Sequence, residues 1–104
     1  MADIGNIFRQ VQRMKAEMER LQEEAAAKRV EGSAGGGMVT VVCSGKGEVL
    51  SVHIDPQVVE SGDQEMLQDL VVAATNEALR RARELATQEM GKLAGALGLP
   101  PGLV

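Results

Sequence analysis

Apolar side chains near the amino terminus recur at Ile4, Ile7, Val11, Met14, Met18, Leu21 and Ala25, in alternating steps of three and four. This heptad spacing predicts a long amphipathic helix over residues 1–26, with Asp3 as its N-cap. Such a helix either faces a core or projects as an arm that pairs with another chain, and the pattern leaves both readings open. The period then changes. Lys28 to Ala34 reads as a strand with Val30, Gly32 and Ala34 on one side. Met38–Ser44 and Glu48–Ile54 read as a hairpin reversed by Gly45-Lys46-Gly47, whose glycines tolerate positive φ. On the second hairpin strand Leu50, Val52 and Ile54 alternate with Val49, Ser51 and His53, as in a sheet with one buried face. On the first, Val39, Val41 and Cys43 form one apolar row, but Met38 and Val42 stand opposite, so that strand is either covered on both sides or lies against a partner.

Asp55-Pro56 ends the sheet, and a short connection over Gln57–Gly62 follows. Leu67, Leu70, Val71, Ala74, Ala78, Ala82, Leu85 and Ala86 then fall on one stripe at helical spacing. A second long helix is expected over 63–91, capped by Asp63 or by Ser61 with Gln64 and stopped before Gly91. Its alanines let it sit close to the strands. The Gly- and Pro-rich residues 95–104 are expected to form a mobile tail. The fold class is therefore α+β, one domain over 1–104, with a three-stranded sheet over 27–56 between two long helices.

Composition narrows what such a domain can do. The chain has 104 residues, 44% of them hydrophobic and 25% charged, and Phe8 is its only aromatic residue. A small core of Ala, Val, Leu and Met buries little area per residue, which predicts an obligate oligomer. No apolar run is long enough for a membrane span, and nothing resembles a signal peptide, so neither membrane nor export is expected. The single Cys43, in an apolar strand, reads as a small buried hydrophobe of a reducing compartment.

Catalytic and metal-binding constellations find little support. Ser51, His53 and Asp55 alternate along one strand at about twice 3.3 Å, too far apart for a triad, and read as an exposed face. His53 and Cys43 are single and would lie on different strands, so no zinc site is implied. The run GSAGGG over 32–37 precedes a strand rather than a helix, which argues against a phosphate cradle and for close backbone approach. Neither an enzyme nor a small-molecule substrate nor a cofactor is expected.

Net charge is −4, which argues weakly against nucleic acid, yet basic side chains are locally concentrated. Arg9, Arg13, Lys15 and Arg20 lie on the first helix, Lys28 and Arg29 at its end, and Arg80, Arg81 and Arg83 on the last. On spacing alone, solvated faces with intrahelical pairs such as Arg13 with Glu17 are favoured over DNA contact.

From Asp3 to Pro101 the sequence resembles the YbaB/EbfC family. The resemblance is carried by MADIGNIFRQVQRMKAEMERLQEE, by VEGSAGGGMVTVVCSGKGEVLSVHIDP, by EMLQDLVVAATNEALRRARELATQEMGKL and by the closing GLPPGL. It implies an α-β-β-β-α protomer and a homodimer built through the sheets. It also implies helical arms that bind duplex DNA with loose sequence preference, in the cytoplasm on the nucleoid. Roles in chromosome organisation, gene regulation or repair, beside recombination or replication proteins, come with it, and no catalytic activity does. The nine basic residues named above are the DNA-binding candidates, chosen by charge. A protein-interaction module acting through the heptad helix is the alternative. With no Trp or Tyr, and with Phe8 expected to be taken up by the first helix, the chain lacks a stacking platform for unpaired bases, which favours duplex over single strands or RNA loops.

Overall fold

The computed structural model describes residues 3–98. Helix α1 (Ile4–Ala27) leads into strands β1 (Arg29–Ala34), β2 (Val39–Ser44) and β3 (Val49–Ile54). A short helix α2 (Pro56–Glu60) and a 33-residue helix α3 (Gln64–Ala96) follow. The sheet is antiparallel in the order β1-β2-β3, so the architecture is the expected α+β one. The chain extends over 73 × 23 × 16 Å, far from spherical.

The core lies between one face of the sheet and one stripe of α3. Val39, Val41 and Cys43 on β2 are wholly buried against Ala74 and Ala78, with Val30, Ala34, Ile54, Leu67, Leu70, Val71 and Leu79 packed around them. The small side chains of α3 permit unusually close contact. A Cβ added to Gly32 would lie 2.3 Å from the Ala78 backbone nitrogen and 2.5 Å from the Ala74 carbonyl oxygen, so only glycine fits at that point of β1.

Several expectations require correction. The hairpin strands begin one residue later than read, at Val39 and Val49. Gly47 has φ +87°, but Gly45 has no positive φ; it is glycine because a Cβ there would lie 2.3 Å from the Ala25 carbonyl oxygen. A register shift at Val42/Cys43 sets Val49, rather than Leu50, opposite Cys43, which breaks the simple alternation along β3. Nor is one face of β3 buried. Helix α3 lies across β1 and β2, leaving Val49, Leu50 and Val52 at 44–47% exposure on an edge strand.

Around Pro56 the backbone does more than leave the sheet. Asp55 caps α2 by accepting from the Gln57 amide at 2.9 Å, and Pro56 occupies the first turn, where its missing N–H costs nothing. Asp63 caps α3 through the Met66 amide at 3.0 Å. The helix runs through Gly91 and Gly95 to Ala96, because one glycine costs only about 1 kcal/mol within a long helix. Of the tail expected over 95–104, the first two residues are helical, and 99–104 lie outside the described residues.

Candidate nucleic-acid interface

Helix α1 starts as its sequence demands, with the Asp3 carboxylate accepting from the Gly5 amide at 3.0 Å. None of its residues is buried. Its final turns are anchored to the sheet side at Ala25 and beside α3 at Ala86, Met90 and Leu93, while Gln10, Arg13 and Met14 border an open cleft with Ala96 and Leu97. The first turns therefore reach beyond the last described turn of α3, making the free end of a two-helix arm.

Charge along this arm is segregated. From Ile4 to Ala16 there are three cations, Arg9, Arg13 and Lys15, and no acidic residue; from Glu17 to Ala27 there are four glutamates and Arg20. With 3.6 residues per turn, Arg9, Arg13 and Arg20 share the side of α1 away from the apolar seam. Phe8 is not taken up by packing: it stands 63% exposed on the same free end. The expectation that it would be occupied does not hold, so one ring per chain is available to a ligand.

The nine basic candidates divide by whether an acid already holds them. Arg20 donates to Glu17 and Glu24, so Glu17 is paired with Arg20 rather than with Arg13. Arg80 donates to Glu77 and Glu84, and Arg81 to Glu77 at 3.0 Å and to the Glu31 carbonyl at 2.8 Å. The guanidinium–carboxylate hydrogen bond to Arg80 holds the Glu77 carboxyl below its ordinary range. Lys28 donates to Glu89 at 2.6 Å, an ion pair joining the end of α1 to α3, and Lys92 approaches the same carboxylate at 3.5 Å. Among the described residues Arg13, Lys15, Arg29 and Arg83 have no ion-pair partner, and Arg9 meets only Asp3 at 4.0 Å. Three of these five lie on the free end of α1; Arg29 and Arg83 lie nearer the sheet.

Ser51 and His53 lie exposed on β3 and Asp55 is spent on capping α2, so the three do not converge. Among the described residues no three His, Cys, Asp or Glu side chains gather as a metal site would require. No helix among them is long and apolar enough to cross a membrane.

Residues 1–97 match the profile of the YbaB/EbfC DNA-binding family. The chain belongs to that family. YbaB/EbfC relatives include a nucleoid-associated protein of Syntrophobacter fumaroxidans, 57% identical over 94% of this chain and 93% of its own length. Another, from Acetivibrio thermocellus, is 52% identical over 97% of this chain and 89% of its own. The crystal structure of an uncharacterized Helicobacter pylori protein superposes with TM-score 0.75 at 27% identity, over 85% of this chain and 92% of that one. The family is a DNA-binding one, not a family of enzymes.

Proposed function

We propose that this protein is a nucleoid-associated homodimer that binds duplex DNA through its helical arms, with loose sequence preference. The observation that carries the reading is the acid-free first half of α1. There Arg13 and Lys15 are offered to phosphates without a competing carboxylate, and Arg9 with only Asp3 at 4.0 Å, on a chain whose overall charge is negative. Contacts of this kind position a protein on the duplex but read little sequence. Membership of a DNA-binding family and relatives called nucleoid-associated support the same reading. A contribution to chromosome organisation, gene regulation or repair, with recombination or replication proteins as partners, follows from it.

Dimer formation is supported by the half-covered sheet. The apolar side chains of β3 and its unpaired edge are a template for a second copy, and burying them supplies area that so small a core lacks. The ion-paired Arg20, Lys28, Arg80 and Arg81 are secondary contacts, since a phosphate must first compete with their glutamates, and Arg29 and Arg83 are secondary because they lie nearer the sheet.

The exposed heptad seam favours a second reading, a protein-interaction module with incidental DNA binding. A mobility-shift titration of duplex DNA at several salt concentrations separates the two. DNA function predicts tight binding at low salt that falls steeply as salt rises; absence of binding at low salt would leave the interaction module.

A further inference from the structure

Helix α1 buries none of its residues, so few contacts decide where its free end points. Just past its last turn the Lys28 carbonyl accepts from the Gly45 amide at 3.0 Å, which pins the backbone to the hairpin turn. The side-chain tie is Lys28 to Glu89 at 2.6 Å, the one hydrogen bond among the described residues from a side chain of α1 or its C-cap to another element. Glu89 is the only charged residue buried among them: its side chain is 8% exposed, set between Leu21 and Ala25 of α1 and Ala86 and Leu93 of α3. An apolar side chain of similar size in such surroundings stabilises a fold about as well as an ion pair does, so stability alone does not call for a carboxylate there.

We infer that Glu89 is a positioning residue for duplex binding, holding Lys28 so that α1 leaves the sheet at one angle and presents Arg9, Arg13 and Lys15 together. This rests on the duplex-binding reading above. An ion pair has a direction that apolar contact lacks, and this one joins the pivot of α1 to α3, the longest element of the chain. From Lys28 to Arg9 the helix covers about 28 Å. A swing of about 10° at the pivot would carry Arg9 about 5 Å, more than the length of a hydrogen bond to a phosphate oxygen.

A second cation meets the same carboxylate. Lys92 approaches Glu89 at 3.5 Å from one turn further along α3, so two lysines face one acid. Electrostatics and positioning therefore predict opposite effects of removing Glu89. Deleting a negative charge and releasing two cations should by itself strengthen attraction to a polyanion. Loss of the hold on α1 should weaken binding, because the cations of the free end no longer arrive in one register.

Glu89→Leu keeps the site filled and removes the hold; Glu89→Gln, with the parent's shape, is the milder second variant. Both are compared with the parent as full chains, by mobility shift on one duplex at fixed low salt and by circular dichroism for helix content. Spin labels at Gln12→Cys and Gln88→Cys, diluted with unlabelled chain so that distances within one chain are read, report the angle of α1; Cys43 is wholly buried and stays unlabelled. The parent should give a narrow distance distribution. Glu89→Leu should broaden or displace it and weaken duplex binding by about fivefold or more at unchanged helix content, with Glu89→Gln moving both in the same direction. Binding that is unchanged or tighter in Glu89→Leu, or weaker with the parent's distance distribution, overturns the positioning role and leaves the DNA reading standing. If Glu89→Leu loses helix content, Glu89→Gln decides by the same outcomes; loss of helix content in both makes Glu89 a structural residue and overturns the role as well. A parent that binds no duplex at low salt defeats the DNA reading, and the positioning role with it.

Discussion

Gly32 on β1 and Ala78 on α3 touch backbone to backbone: a Cβ on Gly32 would stand 2.3 Å from the Ala78 nitrogen. This contact fixes how low α3 sits on the sheet and hence the height of the buried row Val39, Val41 and Cys43. Gly32→Ala should destabilise the fold by about 2–3 kcal/mol, because the obstructing atoms are backbone and cannot swing aside. Gly91→Ala, in open space inside α3, should stabilise it by about 0.5–1 kcal/mol. Urea unfolding of the two variants beside the parent checks both signs.

In the hairpin turn the two glycines should behave differently. Gly45→Ala meets the Ala25 carbonyl oxygen at 2.3 Å and should cost about 2 kcal/mol or more, loosening the anchor of α1 on the sheet. Gly47→Ala has open space and only its φ of +87° to resist it, a cost of about 1 kcal/mol. Thermal unfolding midpoints should therefore fall in the order parent, Gly47→Ala, Gly45→Ala; equal midpoints would contradict the close approach of Ala25.

Acid should release the end of α1 from α3. The hydrogen bond from Lys28 holds the Glu89 carboxyl below its ordinary range, with the Lys28 and Lys92 charges adding to it and desolvation opposing it. A folded-state pKa below the unfolded one means a contribution fully present above the ordinary glutamate value of about 4.3 and lost as pH falls through the lower, folded value. Glu89→Gln should lower stability at pH 7 and flatten the acid limb of the stability profile. Urea midpoints between pH 3 and pH 7 report it; an acid limb identical to that of the parent would show that Glu89 is not the titrating group.

The last-helix cluster should be a weaker DNA determinant than the arm. Neutralising Arg80 and Arg81 to Gln breaks their ties to Glu77, Glu84 and the Glu31 carbonyl, so the melting midpoint should fall slightly while duplex affinity changes little. Arg83→Gln, with no ion pair among the described residues, should leave stability unchanged. Anisotropy titrations paired with melting curves distinguish these outcomes.

Periodicity made the main elements legible: the heptad gave α1, the alanine stripe gave the helix over the sheet, and Asp3 and Asp63 gave their caps. What stayed hidden depends on geometry that spacing does not carry. Asp55-Pro56 ends a strand and starts a helix with the same two residues, and only the first role is apparent from the sequence. The shift that sets Val49 against Cys43 is invisible to an alternation rule. Glu17 has basic neighbours four residues before and three after, and rotamers decide for Arg20. Lys28 and Glu89 are brought together across 61 positions by the fold itself. Basic candidates could thus be named by charge, but sorting held from unheld cations required the structure.

The salt dependence of duplex binding by the parent and by an Arg9→Gln, Arg13→Gln, Lys15→Gln variant tests the central claim most directly. Phosphate contact by the acid-free half of α1 predicts a linear fall of log affinity with log salt. The variant's slope should be shallower by about one unit for each phosphate that is no longer neutralised, at unchanged helix content and mass. Identical slopes for parent and variant, or no binding by the parent at low salt, would contradict it.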